Sequence, residues 1–405
     1  MFAQNAGSLR HGMVYGHYYL AREWVRLGHD VTIIAASFSH SRSVQPDVGW
    51  RPRTEYIDGI RYRWIPTRRY GAHNNIGRVW NLLGYSSRCL MQSGPLPRAD
   101  VVICSSHHPF AIYAARRLAR RHDAPLVFEV RDLWPLTLIE IGGLSERHPF
   151  IRLMQRAEDY AYRHADVVVS VLPEAKDYMV GRGMAPGKFL FVPNGADVRA
   201  DEDAQRVPFR FAPLLDAARE MGQFLVGYAG TLNRTNVLHT LIEALALCED
   251  GGISVAILGR GPALPELKAL ASHLGVESRV LFMNSVPKAE VRDFLSRVDA
   301  AYLGLQHKDF YRFGVSLTKF NDYMLASRPI VAAMDAPGNL AVESGAGVGC
   351  APERVPELLE AIDSLRRLSP AQRAEIGALG RAWIMRNRDY RVLAQKFLSR
   401  VVDQP

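Results

Sequence analysis

At 405 residues the chain exceeds one ordinary folding domain, and domain-size statistics favour two domains of roughly 200 residues each. Apolar residues make up 48% of the chain and charged residues 22%, which excludes an intrinsically disordered protein. No stretch reaches the ~18 to 20 consecutive apolar residues of a transmembrane helix, and the four cysteines have no CxxC spacing. We therefore expect a cytosolic protein without a metal site or a disulfide framework.

The first half of the chain alternates strand-like apolar runs with amphipathic helical stretches, a pattern typical of helices packed on a parallel sheet. Gly28 marks the end of the first helix, as expected of a residue that tolerates a left-handed C-terminal cap. The pattern predicts helices over 19–27, 112–121 and 151–164, and strands over 31–35, 101–104, 126–130, 167–171 and 189–192. An α/β domain is the prediction for this half.

The stretch 51–88 concentrates the net charge of +9, since it holds eight Arg residues against only Glu55 and Asp58. Aromatic residues are interleaved with them, among them Trp64, Tyr70, Trp80 and Tyr85. Aromatic rings at headgroup depth and Arg against lipid phosphate suit a bilayer interface. This composition predicts peripheral contact with anionic inner-membrane lipid, with a solvated basic loop and helix as the alternative.

The second half repeats the α/β alternation. Between the halves, the segment 197–219 has mixed charge and no clear period, which indicates a linker. The second series predicts strands over 224–228, 254–258, 280–283, 301–303 and 330–333, and helices over 237–248, 263–274, 289–298 and 317–326. The predicted organisation is an N-terminal domain over 1–198, a linker over 199–220, a C-terminal domain over 221–375, and a terminal helix over 376–405 that packs back on the N-terminal domain.

Polar side chains in the first half follow two predicted strands where each ends. His107 and His108 follow the strand over 101–104, and Arg131 and Asp132 follow the strand over 126–130. In open α/β sheets ligands bind at the carboxyl ends of strands. These four residues are therefore candidates for a ligand site, although structural histidines and a self-satisfied Arg–Asp ion pair are the alternatives.

In the second half, Gly230, Thr231 and Arg234 lie between a strand and a helix, where small residues let backbone approach a phosphate. Arg234 adds a guanidinium suited to a diphosphate, although an ordinary tight turn is the alternative.

Gly314, Ser316, Lys319 and Asp322 surround the start of a later predicted helix. Ser316 as N-cap would leave helix amides facing an anion, Lys319 would add positive charge, and the Asp322 carboxylate could accept hydrogen bonds from sugar hydroxyls. A capped surface helix with a Lys–Asp pair is the alternative.

The order of these segments resembles the large family 4 of retaining glycosyltransferases with the GT-B fold, particularly the bacterial members that build O-antigen and exopolysaccharide. The resemblance spans nearly the full chain and is carried by the motifs YLAREWV (19–25), GHDV (28–31), EVRDLWP (129–135), PNGAD (193–197), GYAGT (227–231), LGRGP (258–262) and FGVS (313–316). It implies two facing Rossmann-like domains with a cleft between them, the first binding the acceptor and the second the nucleotide-sugar.

Residue by residue, the resemblance implies that Arg234 and Lys319 hold the donor diphosphate, that Asp322 contacts the donor ribose, and that His107 lies near the transferred sugar. The sequence departs from the family at Gly314, where the first of two paired acids is usual, and at Arg260, where Asp is common. Only residues 1–4 precede the loop 5–8, which follows the first strand in the family pattern, so we expect the given start to omit part of that strand.

The expected activity is transfer of a hexose-type sugar from a nucleotide diphosphate donor, UDP by family resemblance, to a lipid-linked glycan. We expect retention of configuration and no cofactor or metal. A nucleotide-sugar 2-epimerase of the same fold is the nearest alternative. A non-catalytic lipid-binding or nucleic-acid-binding protein is a second alternative, but the basic and aromatic residues are not arranged as a nucleic-acid module, so we expect no nucleic-acid partner.

Overall fold

The computed structural model of the chain describes residues 1–12, 16–71, 75–91, 96–199 and 207–402. The chain divides into two compact units. Unit 1 comprises Met1–Asn194 and Tyr390–Pro405, and unit 2 comprises Gly195–Asp389. Each unit is an α/β domain built on a mainly parallel sheet, which confirms the predicted fold class.

Unit 1 carries two sets of hydrogen-bonded strands. Its elements are α1 (Gly16–Arg26), β1 (Thr32–Ala36), β2 (Arg53–Ile57), β3 (Ile60–Ile65), α2 (Asn75–Met91), β4 (Val102–Ser106), α3 (Ile112–His122), β5 (Leu126–Val130), α4 (Leu136–Glu140), α5 (Pro149–His164), β6 (Val167–Ser170), α6 (Lys176–Gly181) and β7 (Phe189–Phe191). The strand orders are β1-β3-β2 and β4-β5-β6-β7, and Phe2 bridges to both Ile34 and Cys104. The carboxyl ends of β4 and β5 therefore lie side by side, with Ser106 opposite Val130.

Unit 2 contains one six-stranded parallel sheet of order β10-β9-β8-β11-β12-β13. Its elements are α7 (Ala212–Glu220), β8 (Phe224–Thr231), α8 (Leu238–Leu247), β9 (Ile253–Arg260), α9 (Leu264–His273), β10 (Val280–Met283), α10 (Lys288–Ser296), β11 (Ala300–Gly304), α11 (Thr318–Leu325), β12 (Ile330–Ala333), α12 (Leu340–Glu343), β13 (Gly347–Cys350), α13 (Val355–Arg366) and α14 (Pro370–Asn387). The strand order reverses between β8 and β11. Such a topological switch point opens a crevice at the carboxyl ends of the two strands.

Two predicted features of domain organisation differ in the structure. Residues 207–220 of the expected linker include α7, whose Leu215 and Ala218 are buried in the unit 2 core; residues 200–206 lie outside the described part of the chain. The expected terminal helix is two helices, α14 in unit 2 and α15 (Tyr390–Val401) in unit 1. Packing on the N-terminal unit applies to α15, where Trp24 Nε1 donates to the Ala394 carbonyl at 3.2 Å.

The basic stretch 51–88 forms the antiparallel β2–β3 hairpin and most of α2, apart from residues 72–74, which lie outside the described ranges. Two of its aromatic residues are core rather than surface: Trp64 stacks on Tyr62 at 4.9 Å, and the Tyr85 hydroxyl donates to the Ile34 carbonyl. The predicted lipid-facing role of Trp64 and Tyr85 is therefore wrong, because both side chains are fully buried.

The outward surface of α2 exposes large apolar side chains, those of Ile76, Trp80, Leu90 and Met91. Arg78 and Arg88 are also exposed on this helix. Within the described residues, no helix is long and apolar enough to cross a bilayer.

Candidate active site

The end of β8 borders the switch point of unit 2 and carries Gly230. A methyl group added at Gly230 would lie 2.9 Å from Lys319 Cε and 3.0 Å from the Tyr228 hydroxyl. Glycine is favoured here because its φ of 155° lies in a region that other residues rarely adopt, and the lysine side chain passes close to the backbone. The predicted association of Gly230 with Lys319 is thus a feature of the structure, and Thr231 follows with an exposed side chain.

Lys319 is in the first turn of α11, and its ammonium is surrounded by neutral groups. Nζ donates to Asn236 Oδ1 and lies 5.1 Å from the centre of the Tyr228 ring. Burial lowers the pKa of Lys319 to about 8, because removing a cation from water disfavours its charged form. The charge of this lysine is therefore incompletely compensated, which suits binding of an anion.

The start of α11 differs from the prediction. Leu317 is the N-cap residue, no side chain caps the helix, and the first helical residue is Thr318. The expected capping role of Ser316 is wrong, since the backbone becomes helical two residues later. Gly314 precedes the helix with φ of 83°, a conformation that favours glycine, and its amide bonds to the Tyr311 carbonyl.

Arg234 is not brought together with Lys319. It begins a short 3-10 turn, Arg234–Asn236, and its guanidinium pairs with Glu266 at 2.8 Å. The Arg234 side chain is 79% exposed. Asn236, at the other end of the same turn, is the residue that contacts Lys319. The turn therefore contacts both cations, but Arg234 pairs with Glu266 and Lys319 with Asn236.

A cavity of about 360 Å³ lies beside Arg234. Its lining consists of Asn233, Arg234, Leu238, His239, Ala263, Glu266, Leu267, Leu270 and Gln306. Lys319 and Asn236 are not among these lining residues.

Asp322 lies one helical turn after Lys319, as predicted. Its Oδ1 is 3.4 Å from Lys288 Nζ, and its side chain is 39% exposed. Lys288 opens α10, after the carboxyl end of β10. The Asp322 carboxylate therefore has one cationic partner and remains accessible for further hydrogen bonds.

In unit 1, the strand ends are organised around Glu129, the fourth residue of β5. Its buried carboxylate accepts from Arg131 Nη1 at 3.1 Å and lies 3.1 Å from His17 Nε2. Burial opposes ionisation, but the hydrogen bonds and charges of His17 and Arg131 hold the pKa of Glu129 well below its usual range. Arg131 Nη2 also donates to Asn194 Oδ1 at 2.6 Å, which fixes both ends of the guanidinium fork.

The two adjacent histidines of unit 1 differ in their surroundings. Both ring nitrogens of His108 have protein partners, Gln4 Oε1 at Nε2 and the Phe110 amide at Nδ1, and burial lowers its pKa to about 3. His108 is a buried capping residue, which makes the expected acceptor contact wrong. His107 is half-buried and faces His17 at 6.1 Å between ring centres, and burial lowers its pKa well below the usual value.

Asp132 follows Arg131 and is accessible to solvent, although surrounding protein atoms raise the pKa of its carboxyl by desolvation. Arg131 pairs with Glu129 rather than with Asp132, so the alternative of a self-satisfied Arg131–Asp132 pair is wrong. Asp132 is the accessible carboxylate of this strand end.

Several residues of these clusters were not selected from the sequence: His17, Glu129, Asn194, Tyr228 and Asn236. Glu129, Asn194 and Tyr228 fall inside the quoted motifs EVRDLWP, PNGAD and GYAGT, so the motifs contained the signal without indicating a role. His17 and Asn236 had no such signal, because only the tertiary fold places them beside Glu129 and Lys319.

Two family models together cover most of the chain. The model described as glycosyl transferase 4-like domain matches residues 11–195, and the model for glycosyl transferases group 1 matches residues 216–383. This chain is a glycosyltransferase.

Relatives of the glycosyltransferase agree with that assignment. It is 23% identical over 305 residues to a probable glycosyltransferase, WbjE of Pseudomonas aeruginosa, covering 75% of this chain and 74% of the relative. The structure of Anabaena HepE in complex with UDP-glucose matches with a TM-score of 0.65 at 16% identity, over 100% of this chain and 98% of HepE. WaaG, a glycosyltransferase involved in lipopolysaccharide biosynthesis, gives the same TM-score, identity and coverage. Both units therefore belong to the GT-B fold.

Proposed function

We propose that the glycosyltransferase moves a hexose-type sugar from a nucleotide diphosphate donor, a UDP-sugar, to a lipid-linked glycan in surface polysaccharide biosynthesis. In this proposal the reaction retains anomeric configuration and uses no metal ion. Unit 2 binds the donor, and unit 1 binds the acceptor. The protein acts in the cytoplasm, at the inner face of the membrane.

The observation that carries the donor assignment is the half-buried Lys319 ammonium, which lies over Gly230 with neutral partners at the switch point. A diphosphate supplies the missing counter-charge, and the charge that develops on the leaving group strengthens the interaction in the transition state. Asp322 is accessible for ribose hydroxyls, and Arg234 adds charge if its guanidinium leaves Glu266. HepE, which shares the fold, was crystallised with UDP and glucose, and this supports UDP.

The acceptor assignment draws on unit 1. Asp132 is an accessible carboxylate with a raised pKa, which suits a hydrogen bond to an acceptor hydroxyl, and His107 offers a neutral imidazole nearby. The involvement of WaaG in lipopolysaccharide biosynthesis supports a glycan acceptor of related type. The exposed apolar and Arg residues of α2 suit a bilayer surface on which a lipid-linked substrate is carried.

A transfer assay tests this function directly. Purified enzyme is incubated with UDP-glucose, UDP-galactose or UDP-N-acetylglucosamine, with and without a lipid-linked glycan extract, in buffer and in EDTA. We expect acceptor-dependent sugar transfer that EDTA leaves unchanged. Conversion of the donor to its 2-epimer without acceptor would instead identify an epimerase, and loss of turnover in EDTA would disprove metal independence.

Vesicle binding tests the membrane contact. Co-sedimentation with vesicles containing anionic lipid should fall severalfold when Trp80 and Ile76 are both replaced by Ser, because both side chains are exposed on α2. Leu379→Ser is the matched control, since Leu379 is an exposed apolar residue of α14 in unit 2. Equal binding of both variants and the wild type would reject α2 as the membrane surface.

A further inference from the structure

The side-chain amide of Asn236 has one possible orientation. Its Nδ2 donates to the Thr231 carbonyl at 2.9 Å and to Asn233 Oδ1, both of which are acceptors. A flipped amide would place two acceptors against each other at both contacts. Oδ1 of Asn236 must therefore face the Lys319 ammonium, to which it is hydrogen-bonded.

The turn that carries Asn236 is itself held by several hydrogen bonds. Asn233 Oδ1 accepts from the Asn236 amide at 3.2 Å and from Thr235 Oγ1 at 2.8 Å. The Gln306 amide, after β11, donates to the Thr235 carbonyl at 2.9 Å. Asn236 is 8% exposed, so its amide is a fixed point and not a mobile surface group.

Lys319 has no carboxylate in ion-pair contact among the residues that the structure describes. The carboxylate of its own helix, Asp322, pairs with Lys288 instead. Ionisable groups on elements around this helix include Tyr228 of β8, Tyr302 of β11, Asp322 and Tyr323 of α11, Lys288 of α10 and Arg381 of α14. The hydrogen-bonding partner of the ammonium is therefore the neutral Asn236.

We propose that Asn236 is a positioning residue that holds the Lys319 ammonium across Gly230 without neutralising it, so that the charge is available to the donor diphosphate. An aspartate in its place would form an ion pair with the lysine and compete with phosphate. An apolar residue would leave the lysine without a fixed direction. A neutral hydrogen-bond acceptor meets both requirements, because it orients the lysine ammonium and leaves its charge unneutralised. This inference rests on the proposed donor site.

The pH dependence of nucleotide binding distinguishes positioning from mere structural support. Since burial lowers the pKa of Lys319 to about 8, the affinity of the wild type for UDP should fall as pH rises through that value. Asn236→Asp should raise the pKa of Lys319 through the added carboxylate and move the fall to higher pH, whereas Asn236→Leu should move it lower. At neutral pH, UDP binding to Asn236→Leu should weaken by about tenfold, the scale of one hydrogen bond to a charged group.

The experiment is isothermal titration of UDP into wild type, Asn236→Asp, Asn236→Leu, Lys319→Ala and the Asn236→Leu/Lys319→Ala double variant, between about pH 7 and about pH 10. If Asn236 acts through Lys319, the Leu substitution should weaken UDP binding less than about twofold further in the Lys319→Ala background. Thermal unfolding of each variant identifies any that do not fold. Asn236→Asp provides a second test. Its readout is the direction in which the pH midpoint of UDP binding moves, and it does not depend on a loss of affinity.

The outcomes separate two failures. An unchanged pH midpoint in both Asn236 variants, or multiplicative effects in the double variant, would overturn the positioning role while leaving the donor site intact. If Lys319→Ala instead bound UDP as tightly as the wild type at every pH, Lys319 would not be part of the donor site. The proposed function on which this inference rests would then fail as well.

Discussion

The charged side chains at the strand ends of the two units have opposite kinds of partner. In unit 1, Glu129 is buried between His17 and Arg131, and Arg131 is bound in turn by Asn194. In unit 2, the half-buried Lys319 has a neutral amide and an aromatic ring as neighbours. The partners of Glu129 hold its pKa low, so its carboxylate stays ionised. Burial lowers the pKa of Lys319, so its ammonium loses the proton at a lower pH than an exposed lysine does.

The difference indicates separate uses of charge. A buried carboxylate paired with a guanidinium is held in place by its partner and offers little to a ligand, whereas a cation without a counter-ion gains free energy when an anion arrives. We infer that the Glu129 cluster shapes the edge of unit 1 and that Lys319 binds ligand. Four experiments test this comparison.

Removing the carboxylate of unit 1 should have the largest effect. Glu129→Ala leaves the Arg131 guanidinium buried without its anionic partner, and breaking such a pair costs about 3–5 kcal/mol of stability. Urea unfolding measures the loss. A control is Glu266→Ala, which removes an exposed ion pair and should change the free energy of unfolding little. Equal stability of both variants would contradict the structural role of Glu129.

Lys319→Ala should impair catalysis while the enzyme remains folded. Loss of one preorganised charge at the transition state costs about 2.7–4 kcal/mol, which predicts a hundredfold or greater drop in turnover. Lys268→Ala is the matched control, because Lys268 is an exposed lysine of α9. The wild-type rate should also fall as pH rises through about 8, the pKa of Lys319, since the required ammonium loses its proton. Normal turnover in Lys319→Ala would contradict the inference that Lys319 binds ligand.

Glu158 offers a contrast to Glu129 within unit 1. It is buried with the neutral donors Tyr162, Tyr178 and Gln155, and burial raises its pKa to about 8. The folded state then binds a proton that the unfolded state has lost, so stability should fall by roughly 1–3 kcal/mol from about pH 5 to about pH 8. Denaturation of Glu158→Gln across this range should lack that slope; an identical slope in the variant would exclude Glu158 as its origin.

Arg234→Ala should have the smallest effect of the four. The guanidinium is exposed and paired with Glu266, so its loss should leave the free energy of unfolding nearly unchanged. We expect turnover to fall by about tenfold, equivalent to ~1.4 kcal/mol, because Arg234 must first leave Glu266 to reach a donor. A loss as large as that of Lys319→Ala would give both cations equal weight in the donor site.

Much of the secondary structure followed from sequence periodicity. The strands Leu126–Val130, Val280–Met283 and Ile330–Ala333 have the predicted bounds, because buried parallel strands are short, continuous apolar runs. The β2–β3 hairpin was not predicted, since the half-buried Arg61 and Arg63 obscured the alternation of buried Tyr62 and Trp64. The helix α7 was missed for a similar reason: charged residues and Pro213 hid its small buried face.

The sequence by itself determined the α/β class, the order of the elements, and the position of Gly230, Lys319, Arg131 and Asp132 at strand ends or helix starts. These depend on local periodicity and chain order. Only the tertiary structure decided which side chains meet: Lys319 with Asn236, 83 residues apart, and His17 with Glu129. It also decided that Arg234 pairs with Glu266 and that His108 is a buried cap. Such pairings depend on packing between distant segments, which periodicity does not encode.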